Sequence, residues 1–242
     1  AFARTADDMA DEGDFPIEER LENLDVLRRE LDVLASGGQS AHPLIARLDA
    51  EAVAPFGLDL QPFYDLLSAF SQDVVKTRYG NFGELVDYCR RSANPVGRIM
   101  LALYGKTDAV SVAQSDGICT ALQLVNFWQD VAVDWHKGRV YIPQDDLLKF
   151  GVAEEQIVAG RADAAFQRLM AFQCQRAFRM LRAGSPLAKE LKGRIGLELR
   201  MIVLGAQMIL QKLDACRYDV FAQRPLLDKK DWLIMLKRAV WR

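Results

Sequence analysis

Soft metal ligands are scarce in this 242-residue sequence, which has two histidines and four cysteines. Neither His42 nor His136 sits in an ExxH or HExxH pattern, which argues against zinc and di-iron sites. Cys89, Cys119, Cys174 and Cys216 form no CxxC pair and fall in helical-looking segments, so reduced, buried packing is expected. Any metal would have to rest on carboxylates, ligands suited to magnesium or manganese. Long apolar runs are missing as well. No stretch reaches the roughly 18 residues of a membrane span, and no signal-peptide pattern opens the chain. A soluble, cytoplasmic protein is the expectation. Basic runs are absent too, and 31 basic against 33 acidic residues leave a net charge of −2, so nucleic acid is not an expected partner.

Strand signals are equally sparse. "RVYIP" (139–143) is the best candidate, but it is short, ends in proline and reads as a loop. The longest breaker-rich stretch, "ASGGQSAHP" (35–43), joins two helical patterns without a lasting change in composition, so residues 1–242 are expected to form a single domain. What remains is helical periodicity. Leu21, Leu24, Leu27, Leu31 and Leu34 recur at threes and fours along 17–35, and similar spacing runs through 60–77, 82–104, 154–183 and 187–217. The fold class is all-α.

Within this pattern the segment from about Ser111 to Trp135 stands apart. Ile118, Leu122, Leu124, Val125, Phe127, Trp128 and Val131 point almost all round a helix, which marks it as central. Gln123, Asn126, Asp130 and Asp134 interrupt them as one narrow polar stripe along a buried rod. Like charges one helical turn apart cost roughly 0.2–0.5 kcal/mol even in water, and more in an apolar setting unless a cation, a proton or a wet cavity compensates. A second pair of the same spacing, Asp7 and Asp11, opens the chain in "ARTADDMADEGD", where Arg4, Asp7, Asp8 and Asp11 share roughly one helical face. If both clusters face one cavity, they can hold divalent cations on oxygen ligands and, through them, a diphosphate. Loss of that diphosphate would generate a carbocation that apolar helices shield from water. Arg4, Lys137 and Arg139 are basic candidates for the remaining phosphate oxygens. The alternatives are a solvated acidic face for the first pair and a capped or salt-bridged pair for the second.

These motifs together resemble the squalene and phytoene synthase family. "ARTADDMADE" resembles its first aspartate-rich motif, and "LQLVNFWQDVAVDWHKGRVYIP" its second, usually QLxNxxRDxxEDxxxGRxYxP. "YCRRSANPVG" (88–97) sits where the family usually has YCYxVAGxVG. The resemblance implies an isoprenoid-synthase-type helical bundle around a central cavity, three Mg²⁺ ions between the motifs, a prenyl diphosphate substrate and a tunnel for its tails. Residue by residue, it makes Asp7, Asp8, Asp11, Asp130 and Asp134 metal ligands and Arg4, Gln123 and Asn126 diphosphate contacts. It places Tyr88 near the reacting carbons and Ala93, Val96 and Gly97 in the tunnel wall.

The departures are informative. Gln129 stands where the family usually has arginine, and "RRSAN" replaces "YxVAG", removing a tyrosine of the condensing members. "NFWQD" with "YCRRSANPVGR" resembles the members that convert presqualene diphosphate and water to hydroxysqualene, as against those that condense two farnesyl diphosphates. Family members carry a further helical segment before the first motif, so the numbered chain is expected to lack one. The C-terminal "WLIMLKRAVWR" (232–242) mixes aromatic, aliphatic and basic residues, so peripheral membrane contact is one expectation and packing of a last helix the other.

Overall fold

The computed structural model describes residues 2–11 and 15–240, with only the backbone of Asp11. Its longer helices, in chain order, are α1 (Phe2–Asp11), α2 (Ile17–Ala35), α3 (Gln61–Val75), α4 (Phe82–Ser92), α5 (Asn94–Leu103), α6 (Ala109–Gln129), α7 (Val131–His136), α8 (Gln144–Phe150), α9 (Ala164–Gly184), α10 (Gly193–Ala215) and α11 (Lys229–Val240). Among the described residues there is no strand. One isolated parallel bridge joins Arg78 and Val140. The all-α expectation holds. Two compact units share the chain: Ala1–Lys76 with Arg90–Val112, and Thr77–Cys89 with Ala113–Arg242.

In the first unit, α1 buries Phe2, Ala6 and Ala10, α2 buries Leu24, Leu27 and Leu31, and α3 buries Phe63, Leu66, Leu67 and Phe70. The i, i+3, i+4, i+7 spacing of these residues is what gives each helix one apolar stripe to pack. Phe2 meets Phe63 edge to face at 5.2 Å, fixing α1 on α3. Glu18 and Glu19 favour the start of α2 by facing its partial positive charge. Gly37, at φ +80°, stops the helix after Ser36.

In the second unit, α6 buries Ile118, Ala121, Leu124, Val125, Phe127 and Trp128 on one broad face, so it is buried on that side and not all round. It approaches α9 very closely. A Cβ on Gly184 would lie 2.3 Å from the Gln114 carbonyl oxygen and 2.8 Å from Ile118 Cγ1, so only glycine fits. Val140 N donates to Thr77 O and Gln144 N to Tyr79 O, which holds "RVYIP" extended against residues 77–80 as a loop.

Four expected helices are interrupted. The 82–104 pattern divides where Pro95 opens α5. Gly160, at φ +59°, and the Asp163 cap, whose Oδ1 accepts from Ala165 N and Phe166 N at 3.0 Å, divide 154–183. Gly193, at φ +67°, divides 187–217. The 111–135 rod breaks at Asp130, which has φ −107° and ψ 13°. All four cysteines are free, but only Cys89 and Cys174 are buried. Cys119, on α6, and Cys216, just past the end of α10, are half-buried.

Candidate active site

The first motif lies on the face of α1 turned away from Phe2, Ala6 and Ala10. Arg4 and Asp7 are exposed, Asp8 is half-buried, and Arg4 Nε stands 3.7 Å from Asp8 Oδ2. The Asp11 side chain lies outside the described residues.

The second motif differs from a buried stripe. Asn126 is exposed, and Gln123, Asp130 and Asp134 are half-buried, because the stripe runs along an edge of α6. Compensation for Asp130 comes from a residue the sequence pattern did not single out. Arg224 grips its carboxylate in a two-pronged ion pair, Nε on Oδ1 and Nη2 on Oδ2, the latter at 3.0 Å. Asn126 Nδ2 donates to the same carboxylate. The hydrogen bond to Asp130, with the fields of Asp130 and Asp134, pushes the Arg224 pKa upward. One residue along, the Gln129 amide donates to the Pro225 carbonyl, so residues 224–225 dock on both positions where α6 ends. Asp130 is thus ion-paired to Arg224. Arg224 gave no local signal beyond being an arginine before proline in a non-helical stretch.

Asp134 leads into the loop that carries the basic candidates. Its carbonyl accepts from Lys137 N at 3.0 Å and Arg139 N at 2.9 Å, turning the chain at Gly138. Phe127, Val131, Asp134, Arg139 and Tyr141 line one small crevice. Arg78 fixes the loop from the other side. Its Nε and Nη2 meet Glu154 Oε1 and Oε2 at 2.8 and 2.9 Å, and its Nη1 meets the Gly138 carbonyl at 2.6 Å. The Arg78 guanidinium holds the Glu154 carboxyl below its usual pKa.

Tyr88, buried on α4, belongs to an aromatic cluster. It lies 5.4 Å from Tyr79 and 6.2 Å from both Phe127 and Tyr141, and Phe127 stacks on Tyr141. On α6, Leu122 and Val125 border a cavity of about 610 Å³, lined also by Met201, Ile202, Gly205 and Ile209 of α10 and by Trp232 and Leu236 of α11. On the same helix, the Trp128 indole N–H is buried with no hydrogen-bond partner among the described residues. The small residues of the 88–97 motif belong to the first unit. Ala93 precedes α5, and Val96 and Gly97 lie on it, Val96 being 47% exposed.

Asn126, Asp130 and Asp134 offer oxygen donors close to one another, with no sulfur ligand, a donor chemistry that fits a hard divalent cation. Among the described residues no three His, Cys, Asp or Glu side chains gather as a metal cluster.

The model of the squalene/phytoene synthase family matches residues 1–231. The chain belongs to that family. A hydroxysqualene synthase from Rhodopseudomonas palustris is 37% identical over 214 residues, covering 88% of this chain and 71% of the relative. A phytoene synthase from Arthrospira platensis is 32% identical over 244 residues, 92% of this chain and 75% of the relative. The crystal structure of squalene synthase HpnC from Alicyclobacillus acidocaldarius superposes with a TM-score of 0.82 at 34% identity, over 90% of this chain and 81% of that one. For this family member, Tyr88, the stripe from Gln123 to Asp134 and the Lys137–Arg139 loop come together in one unit with Arg224, a group the motifs alone did not include.

Proposed function

We propose that this protein ionises presqualene diphosphate with Mg²⁺ and lets water capture the rearranged cation, giving hydroxysqualene and diphosphate. The observation that carries this reading is the junction on α6 of an apolar cavity, at Leu122 and Val125, with a polar edge at Gln123, Asn126 and Asp130. A hydrocarbon tail and a charged head need that pairing.

The proposed Mg²⁺ ligands are Asp130 and Asp134, with Asp7, Asp8 and Asp11 as the resemblance implies, for three ions. Bound Mg²⁺ would neutralise the charge that develops on departing diphosphate. Arg4, Gln123, Asn126, Lys137 and Arg139 donate to phosphate oxygens in this reading, and Arg224 holds the Asp130 carboxylate in place. The carbon–oxygen bond breaks with both electrons leaving on diphosphate. Tyr88 and its aromatic neighbours present π faces suited to the cation. The apolar cavity excludes bulk water from the hydrocarbon, and Ala93, Val96 and Gly97 remain the proposed tunnel residues. Water then bonds to the cation and gives up a proton, so no reductant is consumed.

Two facts support water capture: the 37% identity to a hydroxysqualene synthase, and a neutral Gln129, its amide engaged by Pro225, where the resemblance has arginine. The second reading, condensation of two farnesyl diphosphates to presqualene diphosphate or squalene, is favoured by the phytoene synthase relative. Incubation with presqualene diphosphate and Mg²⁺, without NADPH, should release hydroxysqualene. Consumption of farnesyl diphosphate with presqualene diphosphate left intact would reverse the choice.

A further inference from the structure

Helix α11 has three sectors. Asp231, Met235 and Ala239 are buried against the second unit. Next to them around the helix, Trp232 (54% exposed), Leu236 (48%), Val240 (63%) and Leu233 (70%) form an uncovered apolar strip. Beyond that strip lie exposed Lys230, Lys237 and Arg238, with Lys229 at the helix start. The helix has one acidic residue, and it is turned inward. Asp231 Oδ2 lies 2.6 Å from Lys212 Nζ and accepts from Asp228 N at 2.8 Å. The outward face is therefore apolar and basic only. Trp232 and Leu236 also line the 610 Å³ cavity, so its mouth opens on the strip. The acid at the cavity edge, Glu198, is held by Arg194 at 2.6 Å.

We infer that the α11 face is a docking surface for an anionic lipid bilayer. An amphipathic helix with aromatic and aliphatic residues beside lysine and arginine seats its apolar strip at the acyl boundary while its cations meet lipid phosphates. Charge complementarity selects this occupant, because a neutral apolar partner would leave the cations unused and a second copy would bring like charges together. Docking sets the cavity mouth against lipid, so a hydrophobic chain exchanges without crossing water. The inference rests on this surface alone and is scored without turnover, which separates it from the proposed reaction.

The test is flotation of the full chain with phosphatidylcholine vesicles, with and without about one third phosphatidylglycerol, a content that gives a negative surface potential. The protein should float with the anionic vesicles and be released by high salt. Leu233→Ser with Val240→Ser, residues outside the cavity lining, should weaken binding roughly tenfold through lost apolar burial. Lys230→Gln with Lys237→Gln and Arg238→Gln should cost on the order of a hundredfold, at about fivefold per charge near an anionic surface. Circular dichroism and Tm would verify that both variants fold. Failure of the parent chain to float, or undiminished flotation of either folded variant, overturns the inference. So does a change in oligomeric state on substitution without vesicle binding, which would make the strip a protein interface.

Discussion

Replacing Glu154 by glutamine removes the anion that anchors Arg78, the residue whose Nη1 also holds the Gly138 carbonyl in the loop after the second aspartate motif. Two nearly parallel hydrogen bonds, at 2.8 and 2.9 Å, join Arg78 to Glu154, and Gln144 Nε2 adds a third to the same carboxylate at 3.0 Å. The two side chains are 31% and 29% exposed, so solvent screens part of the interaction. Charge-assisted bonds of this kind contribute about 1.5–3 kcal/mol when well buried, which leaves about 1–2 kcal/mol here after screening. In a chain of this size that lowers Tm by roughly 2–8 °C. The sign with pH follows from the carboxyl. Its folded pKa lies below its ordinary 4.5, chiefly through the Arg78 hydrogen bonds. The stabilisation is therefore fully present above 4.5 and is lost as pH falls through the lowered folded value. Thermal unfolding of parent and Glu154→Gln, followed by circular dichroism from neutral pH to about pH 3, should show a gap that closes in acid. A gap below about 0.5 kcal/mol at neutral pH, or one that acid leaves unchanged, would refute the reasoning.

Arg176→Met strands the Asp146 carboxylate, whose side chain is 4% exposed and keeps Gln173 as its one side-chain donor among the described residues, so urea titration should read a loss of about 3–5 kcal/mol. Adding Asp146→Leu should recover most of it; an additive double variant would deny the coupling. Gly184→Ala pushes a Cβ into the Gln114 carbonyl and should cost about 1–3 kcal/mol in the same assay, whereas a neutral effect would mean that α6 and α9 separate easily. Asp130→Asn and Asp134→Asn should each abolish turnover with helical content unchanged, and a chelator should do the same to the parent until Mg²⁺ is restored. Near-normal turnover in either variant would remove that carboxylate from the mechanism.

Helix α2 was readable because Leu24, Leu27 and Leu31 repeat on one face, with acids at its start and a glycine after its end. Interruptions at Pro95, Gly160 and Gly193 were written in the sequence too, but apolar periodicity continues across each and hid them. The break at Asp130 has no such letter: no proline or glycine stands there, and the tertiary grip of Arg224 and Pro225 marks it. Tyr88 entered through a motif, whereas Tyr79, Phe127 and Tyr141 meet it across long stretches of chain, which leave no local pattern. Arg224 was invisible for a simple reason. A contact across 94 residues leaves no local pattern.

That separation also sets an order of events during synthesis. Asp130 leaves the ribosome 94 residues before its arginine does. At about 5–20 residues per second, translation leaves the acidic motif waiting roughly 5–20 s for its counter-charge. A nascent chain stalled between the two therefore carries an acidic helix end whose counter-charge has not yet been made.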